Sequence, residues 1–201
     1  KTPIVVKDCP GFLVNRILMA NVAGFLLLVR DGADFRRIDR VMEDFGWPMG
    51  PAYLQDVIGL DVDAHVFDLI TSGYGDRMRL DFRNALHCLV AHKRFGQKNG
   101  AGFYRYENDP KGKPVKLDDP GVDALLAEVQ TQPGRQFSDD EIVERIMLPM
   151  MIEAALCLED GIAATAADID MAVVLGIGFP RHFGGPLKYA DLIGLKHVIE
   201  R

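Results

Sequence analysis

The pentapeptide DVIGL (residues 56–60) returns as DLIGL (residues 191–195), and the tetrapeptide VNRI (residues 14–17) returns as VERI (residues 143–146). The spacing between matched residues grows only from 129 to 135, as short loop insertions would produce. Self-similarity at a nearly fixed period indicates a duplicated supersecondary unit, so the sequence predicts two related helical units. The other matched pairs keep the same order: Asp31-Gly32 and Asp160-Gly161, Ile38-Asp39 and Ile169-Asp170, Gly46-Trp47-Pro48 and Gly178-Phe179-Pro180, and Gly50-Pro51 and Gly185-Pro186.

The two copies differ at one polar residue of their first helix, where Asn15 in the first copy is replaced by Glu144 in the second. Positions that both copies share are expected to serve the fold, whereas a polar residue in one copy only is a better candidate for chemistry. Two interpretations of Asn15 stay open. Its side chain either ties the helix to a loop, because a buried amide needs partners, or points out toward a ligand oxygen. Arg16, which recurs as Arg145, is predicted to be structural.

The composition bounds the class of protein. The chain has 201 residues, of which 48% are apolar and 26% charged, and it is typical of a globular protein. Its formal net charge of −6 argues against a general nucleic-acid binder, because no basic surplus is available to meet phosphates. The longest apolar run, residues 17–29, is too short to span a bilayer and predicts a buried core helix, and no transmembrane segment is expected.

Cysteine and histidine usage gives no metal signature at this level. Cys9, Cys88 and Cys157 are an odd set without metal-ligand spacing, and the five histidines form no paired ligand motif. The cysteines are interpreted as reduced, mostly buried thiols of an intracellular protein, and no metal site is predicted.

Helix punctuation and the lack of a long alternating strand pattern predict an all-α fold. Capping residues, prolines and glycines place helices at residues 10–30, 34–45, 51–59, 61–72, 79–93 and 122–129. A capping box formed by Ser138 and Glu141 opens the long helix of the second unit. The predicted divisions are a connector with a strand-like run at 4–6 (residues 1–8), a first helical unit (9–107), a linker (108–136) and a shorter second unit (137–201).

Three other features are candidates for a functional site, but a structural role is the favoured interpretation of each. Asp56 and its counterpart Asp191 are predicted to be caps or partners of the repeated arginines. The glycines at 96, 100 and 102 are expected to form a turn or small hairpin, because a dinucleotide fingerprint needs a preceding strand and a following helix. A locally basic patch could bind the phosphates of an anionic substrate, although a solvated helix face is the favoured interpretation. The patch consists of Arg77, Arg79, Arg83, Lys93, Arg94 and Lys98.

Three long motifs carry a family resemblance: DCPGFLVNRIL (8–18), FGWPMGPAYLQDVIGLD (45–61) and RFGQKNGAGFYRY (94–106). Together they resemble the C-terminal part of 3-hydroxyacyl-CoA dehydrogenases, and above all the multifunctional α-subunit of bacterial fatty acid oxidation complexes, which carries two such units in tandem. The resemblance covers essentially the whole chain. It implies a helical fold like the C-terminal domain of 6-phosphogluconate dehydrogenase, with no Rossmann domain in this fragment.

The resemblance also implies an activity. The family oxidises the 3-hydroxyl of a fatty acyl-CoA in β-oxidation by hydride transfer to NAD, which a preceding Rossmann domain binds. A His–Glu pair in that domain removes the hydroxyl proton. Asn15 is similar to the family's substrate contact near the reacting oxygen, and so it is the predicted catalytic and substrate-binding residue. This chain alone has neither the glycine loop nor the His–Glu pair, so it is expected to be inactive by itself.

Further implications concern partners and location. The implied partners are the Rossmann and enoyl-CoA hydratase domains of a longer chain and a thiolase β-subunit, in the bacterial cytoplasm. A rival function is a non-catalytic helical module that docks these neighbours. The second unit is expected to replace a dimer partner by covering the same apolar surface of the first. Two departures are noted: Asn21 where an apolar residue is usual, and Leu175 where bacterial relatives have a substrate-contacting Tyr.

Overall fold

The computed structural model describes residues 3–200, and within them the chain forms ten α-helices and one two-stranded antiparallel hairpin. The predicted all-α class is therefore confirmed. The helices, in chain order, are α1 Val14–Arg30, α2 Phe35–Phe45, α3 Pro51–Ile58, α4 Leu60–Ser72, α5 Ala85–Ala91, α6 Gly121–Leu126, α7 Asp139–Glu159, α8 Ala166–Ile177, α9 Pro186–Ile193 and α10 Leu195–Glu200. The strands are β1 Arg105–Asn108 and β2 Pro114–Leu117.

The repeat seen in the sequence is a repeat of structure. Helices α1 to α4 recur in the same order as α7 to α10. One pair of backbone hydrogen bonds recurs in both units: the Asp39 carboxylate on α2 accepts hydrogen bonds from Ala52 N at 2.7 Å and Tyr53 N at 3.1 Å. Its counterpart Asp170 accepts in the same way from the first turn of α9. Each carboxylate thus satisfies N–H groups that the start of a helix leaves without an intrahelical partner.

The two units pack on each other through α1 and α7, which make the most extensive contact between helices of residues 3–200. Arg16 near the start of α1 binds Asp160 just after α7 at 2.8 Å, and Arg145 near the start of α7 binds Asp31 just after α1, also at 2.8 Å. Both ion pairs join equivalent positions, so the helices run antiparallel about a pseudo-two-fold axis.

Two pairs of equivalent residues meet each other at this axis. The Trp47 and Phe179 rings pack edge-to-face with centroids 5.6 Å apart. The Asn21 amide lies 3.9 Å from the sulfur of its own counterpart, Met150. Contact between equivalent residues is what an isologous dimer shows between subunits, here achieved within one chain.

Several predicted boundaries are wrong in detail. Residues 4–6 form no strand, and the first helix begins at Val14 after a turn instead of at residue 10. Asp61 does not cap α4, whose N-cap is Gly59. The predicted fifth helix (79–93) shrinks to α5, which Asn84 caps by accepting from His87 N. Residues 1 and 2 of the predicted connector lie outside the described residues.

The hairpin β1–β2 crosses the predicted boundary at residue 107, so the first part of the predicted linker is structured. The capping-box prediction is confirmed where Ser138 Oγ accepts from Glu141 N at 3.1 Å. Among residues 3–200, no helix has the length and apolar character needed to cross a membrane.

Candidate functional site

Asn15 lies in the first turn of α1 with its side chain exposed, on a helix whose other residues are almost all buried. Within residues 3–200 its amide has no hydrogen-bond partner. The geometry therefore does not support the interpretation that Asn15 ties the helix to a loop. It leaves an amide donor and acceptor free at the positive end of the α1 dipole, where negative charge is favoured.

A tight turn before α1 aims this helix end outward. Gly11 has φ +77°, and a side chain there would approach Arg16 N to 2.9 Å, so the position requires glycine. Phe12 also has a positive φ of 51°, an unusual conformation for a bulky residue, and its N–H donates to Cys9 O at 2.9 Å. The turn leaves the Phe12 ring 57% exposed, three residues from Asn15.

The second unit contributes the surface beside Asn15. Gly176 in α8 approaches Val14 so closely that a Cβ added to it would lie 3.1 Å from a Val14 methyl group. Leu175 and Met171 of the same helix are more than half exposed. Leu175, where the family resemblance implies a tyrosine, is thus an exposed leucine next to the α1–α8 contact.

A buried charge cluster lies directly behind Asn15. The Arg16 guanidinium is 1% exposed and donates to Glu153 at 2.5 Å and to Asp160 at 2.8 Å. Glu153 also binds Arg77, and Arg16 lies over the Tyr74 ring at 4.5 Å. Burial opposes the charged form of Arg16, but the hydrogen bonds to Glu153 and Asp160 raise its pKa above the ordinary value, so it stays charged.

The counterpart of Asn15 in the second unit is engaged differently. Glu144 is half-buried, and its carboxylate lies 3.0 Å from His197 Nε2 on α10. A cavity of about 1060 Å³ surrounds this region, lined among others by Phe45, Val143 and Tyr189. Asn15 is exposed and is not among the residues that line this cavity.

The prediction that Asp56 is a helix cap or a partner of a repeated arginine is wrong. Its buried carboxylate accepts from Phe103 N at 2.8 Å, from Tyr104 N at 2.9 Å and from the Tyr106 hydroxyl at 2.8 Å. Burial raises the pKa of Asp56 to about 6 although these hydrogen bonds lower it. Asp191 is exposed, because the second unit has no counterpart of the 103–106 segment within residues 3–200.

The glycine-rich loop is not a dinucleotide cradle. A Cβ at Gly96 would overlap the Asp56 backbone, and one at Gly102 would overlap the Asp56 carboxylate. These glycines are therefore needed for the close approach to Asp56, as the predicted turn role implies. The strands that follow form an antiparallel hairpin, and the described residues contain no βαβ unit that could hold NAD.

The predicted basic patch is largely neutralised. Arg77 binds Glu153, Arg83 binds Glu128, Arg94 binds Asp119 and Lys98 binds Asp61. These pairs support a solvated, ion-paired surface over a phosphate-binding one.

Comparison with known proteins supplies the family. The family model described as "3-hydroxyacyl-CoA dehydrogenase, C-terminal domain" matches residues 11–106 and 142–200. The chain belongs to this family. The match has two segments separated by the hairpin end and α6, so each helical unit is matched separately, and Asn15 lies within the first.

Two solved structures are similar to this 3-hydroxyacyl-CoA dehydrogenase C-terminal domain. The dehydrogenase part of multifunctional enzyme 1 from C. elegans is 26% identical with a TM-score of 0.68, over 92% of this chain and 41% of that one. The 3-hydroxybutyryl-CoA dehydrogenase from Escherichia coli K12 is 22% identical with a TM-score of 0.74, over 98% of this chain and 56% of that one, and supports the fold alone. The chain thus spans about half the length of these proteins.

Proposed function

We propose that this chain is the substrate-side part of an NAD-dependent L-3-hydroxyacyl-CoA dehydrogenase of fatty acid β-oxidation, and that Asn15 contacts the reacting oxygen of the substrate. The observation that carries the proposal is the free, exposed Asn15 amide at the start of an otherwise buried helix. An asparagine side chain that served only the fold would be expected to form its hydrogen bonds with other groups of the same chain.

The chemistry suits this position. During oxidation of the 3-hydroxyl, its oxygen gains negative charge as its proton leaves, while the hydride departs from C3 to NAD. A neutral amide donor, aided by the helix N-terminus, orients that hydroxyl and stabilises the developing charge. Glu144 in the second unit carries a carboxylate, which would repel the same charge, and it is already bound by His197. The second unit is therefore proposed to have no dehydrogenase site of its own.

The remaining parts of the reaction lie outside this chain. NAD and the His–Glu base are assigned to a nucleotide-binding domain of a longer protein, since the described residues fit neither. That domain and the acyl chain would cover the exposed apolar residues around Asn15, among them Phe12 and Leu175. The chain alone is accordingly proposed to be inactive. Enoyl-CoA hydratase domains, a thiolase subunit and a bacterial cytoplasmic location are part of the same proposal.

The test is Asn15→Ala in the full-length protein that carries this chain, assayed by NADH formation from a 3-hydroxyacyl-CoA. Loss of one preorganised donor to a developing oxyanion costs about 10²-fold or more in kcat. Asn15→Glu, which copies the second unit, should be at least as damaging. The matched control is Asn108→Ala, an exposed asparagine on β1, which should leave turnover unchanged.

The rival function, a non-catalytic assembly module, predicts a different pattern. In that case Asn15→Ala would leave turnover intact in a complex that still assembles, and the proposed role of Asn15 would be abandoned. Size-exclusion chromatography of both variants shows whether assembly is preserved, so that a loss of turnover is not confused with a loss of the complex.

A further inference from the structure

Three potential metal ligands meet at the contact between α5 and α6. Cys88 lies on α5, His92 follows four residues later on the same face, and Glu128 comes just after α6. One ligand atom from each lies within 4.8 Å of the other two. Glu128 Oε1 is 3.3 Å from His92 Nε2, and the other oxygen of the carboxylate, Oε2, is 3.9 Å from Cys88 Sγ. No metal-ligand spacing in the sequence marks this set, because Glu128 lies 36 residues after His92.

The histidine ring is oriented as metal-bound histidines are. His92 Nδ1 lies 2.9 Å from the Cys88 carbonyl oxygen, and a carbonyl can only accept. Nδ1 must therefore carry the proton, and the neutral ring turns the lone pair of Nε2 toward a Glu128 oxygen. Two lone pairs facing each other at 3.3 Å call for a cation between them or a proton on Nε2. Fixing of the tautomer by a backbone carbonyl is the usual second-shell arrangement of a metal-bound imidazole.

The spacing between His92 and Glu128 also suits a tetrahedral ion. Zinc bonds of about 2.0–2.3 Å at tetrahedral angles place nitrogen, oxygen and sulfur ligands roughly 3.3–3.6 Å apart. The 3.3 Å separation between Glu128 Oε1 and His92 Nε2 falls within this range. The 3.9 Å separation from Cys88 Sγ lies above it and involves the other oxygen, Oε2, so the Glu128 side chain must move for one ion to reach all three residues. Arg83 Nη1 binds Glu128 Oε2, the oxygen nearer Cys88, at 3.1 Å, and this leaves Oε1, the oxygen beside His92, for a ligand role.

We propose that Cys88, His92 and Glu128 form a binding site for a divalent transition-metal ion, with Zn²⁺ the best match to a sulfur, nitrogen and oxygen donor set. Three protein ligands leave the fourth tetrahedral position for water. On binding, the Cys88 thiol releases its proton to solvent and the thiolate sulfur donates an electron pair to the ion, while His92 binds as the neutral imidazole. The site would fasten α6, beyond the hairpin, to α5 of the first unit.

The proposal is tested on the 201-residue chain by calorimetric titration with Zn²⁺ and by absorption spectra with Co²⁺ as a probe. The expected result is one ion per chain and a thiolate-to-cobalt charge-transfer band that Cys88→Ala removes. His92→Ala and Glu128→Gln change exposed side chains, so these variants should fold normally. Each should weaken Zn²⁺ binding about 100-fold or more, since loss of a second-shell partner alone costs 10–100-fold.

Two matched controls keep the test specific. Cys157→Ala removes another buried thiol, and His87→Ala removes another histidine of α5, which faces Asp68. Both should retain the charge-transfer band and the affinity of the unchanged chain. Absence of saturable binding, a band that survives in Cys88→Ala, or equal losses in the controls would overturn the proposal in favour of a simple His92–Glu128 ion pair.

Discussion

Replacing Arg16 with Met tests whether the buried charge cluster holds the two units together. Met keeps an unbranched chain of similar length, so packing of the stem is largely preserved. The change removes the guanidinium and with it the hydrogen bonds to Glu153 at 2.5 Å and Asp160 at 2.8 Å. Glu153 is 3% exposed, so its carboxylate stays buried with Arg77 as its remaining cation.

The magnitude follows from that burial. Removing one partner of a buried ion pair costs about 3–5 kcal/mol, because the other charge is left uncompensated. Arg77 still partly neutralises the Glu153 carboxylate, so the expected loss of stability lies near the lower end of this range, at about 3 kcal/mol. For a chain of this size such a loss lowers Tm by roughly 6–12 °C. Replacing Glu153 with Gln in the Arg16→Met background should recover part of the loss, because it removes the stranded charge.

The repeat supplies the control. Arg145→Met is the same change at the equivalent position, but the Arg145 side chain is 34% exposed and binds Asp31 near the surface. Its expected cost is about 1 kcal/mol or less. Urea unfolding followed by circular dichroism, with calorimetric Tm values, measures both. If Arg16→Met loses no more stability than Arg145→Met, the buried cluster does not stabilise the unit contact and the reasoning is refuted.

Two further changes probe the same structure. Gly24→Ala would normally favour a helix by up to about 1 kcal/mol, but here the new Cβ would overlap the Arg145 carbonyl oxygen of α7, so we expect urea unfolding to show a stability loss of about 1–3 kcal/mol. Gly176→Ala is the control and should cost less, because its Cβ meets only the Val14 side chain. A Gly24→Ala variant as stable as the original chain would contradict the α1–α7 contact. Burial raises the pKa of Asp63 to about 7. The folded state then binds more protons than the unfolded state between about pH 4 and 7, so the stability that protonated Asp63 contributes is lost as pH rises through that window. The stability of Asp63→Asn relative to the original chain should therefore rise between about pH 4 and 7 and level off above that, and a pH-independent difference would rule this out.

The sequence predicted what depends on local patterns. Caps such as Asp34 and Ser138 fix helix starts through hydrogen bonds a few residues away, and both occur as expected. The partners of Asp56 were missed because its donors lie 47 to 50 residues further along the chain, where no spacing rule applies. The partners of Arg16 were missed for the same reason, since both belong to the other unit.

The sequence alone leaves the exposure of the Asn15 side chain as one of two alternatives. The repeat marked it as the residue that the second copy does not keep, but helical periodicity could not decide the outcome on a helix apolar nearly all round. What exposes it is the Gly11–Phe12 turn, a backbone conformation that depends on two adjacent positive φ angles. A positive φ can be anticipated at Gly11, because glycine adopts it readily, but not at Phe12.

The second unit bears on the candidate site through the residue next to Asn15. Arg16 is held by Glu153 and Asp160, both from the second unit, so the start of α1 is anchored from outside its own unit. The reciprocal anchor at Arg145 is more exposed, and Gly24 stands where the second copy has Glu153. The two helix starts therefore differ, and the one that carries Asn15 is the more firmly anchored by buried ion pairs. The proposed substrate contact of the first unit and the proposed structural role of the second therefore depend on the same contact, because the carboxylates that join the units also anchor the helix turn that presents the Asn15 amide.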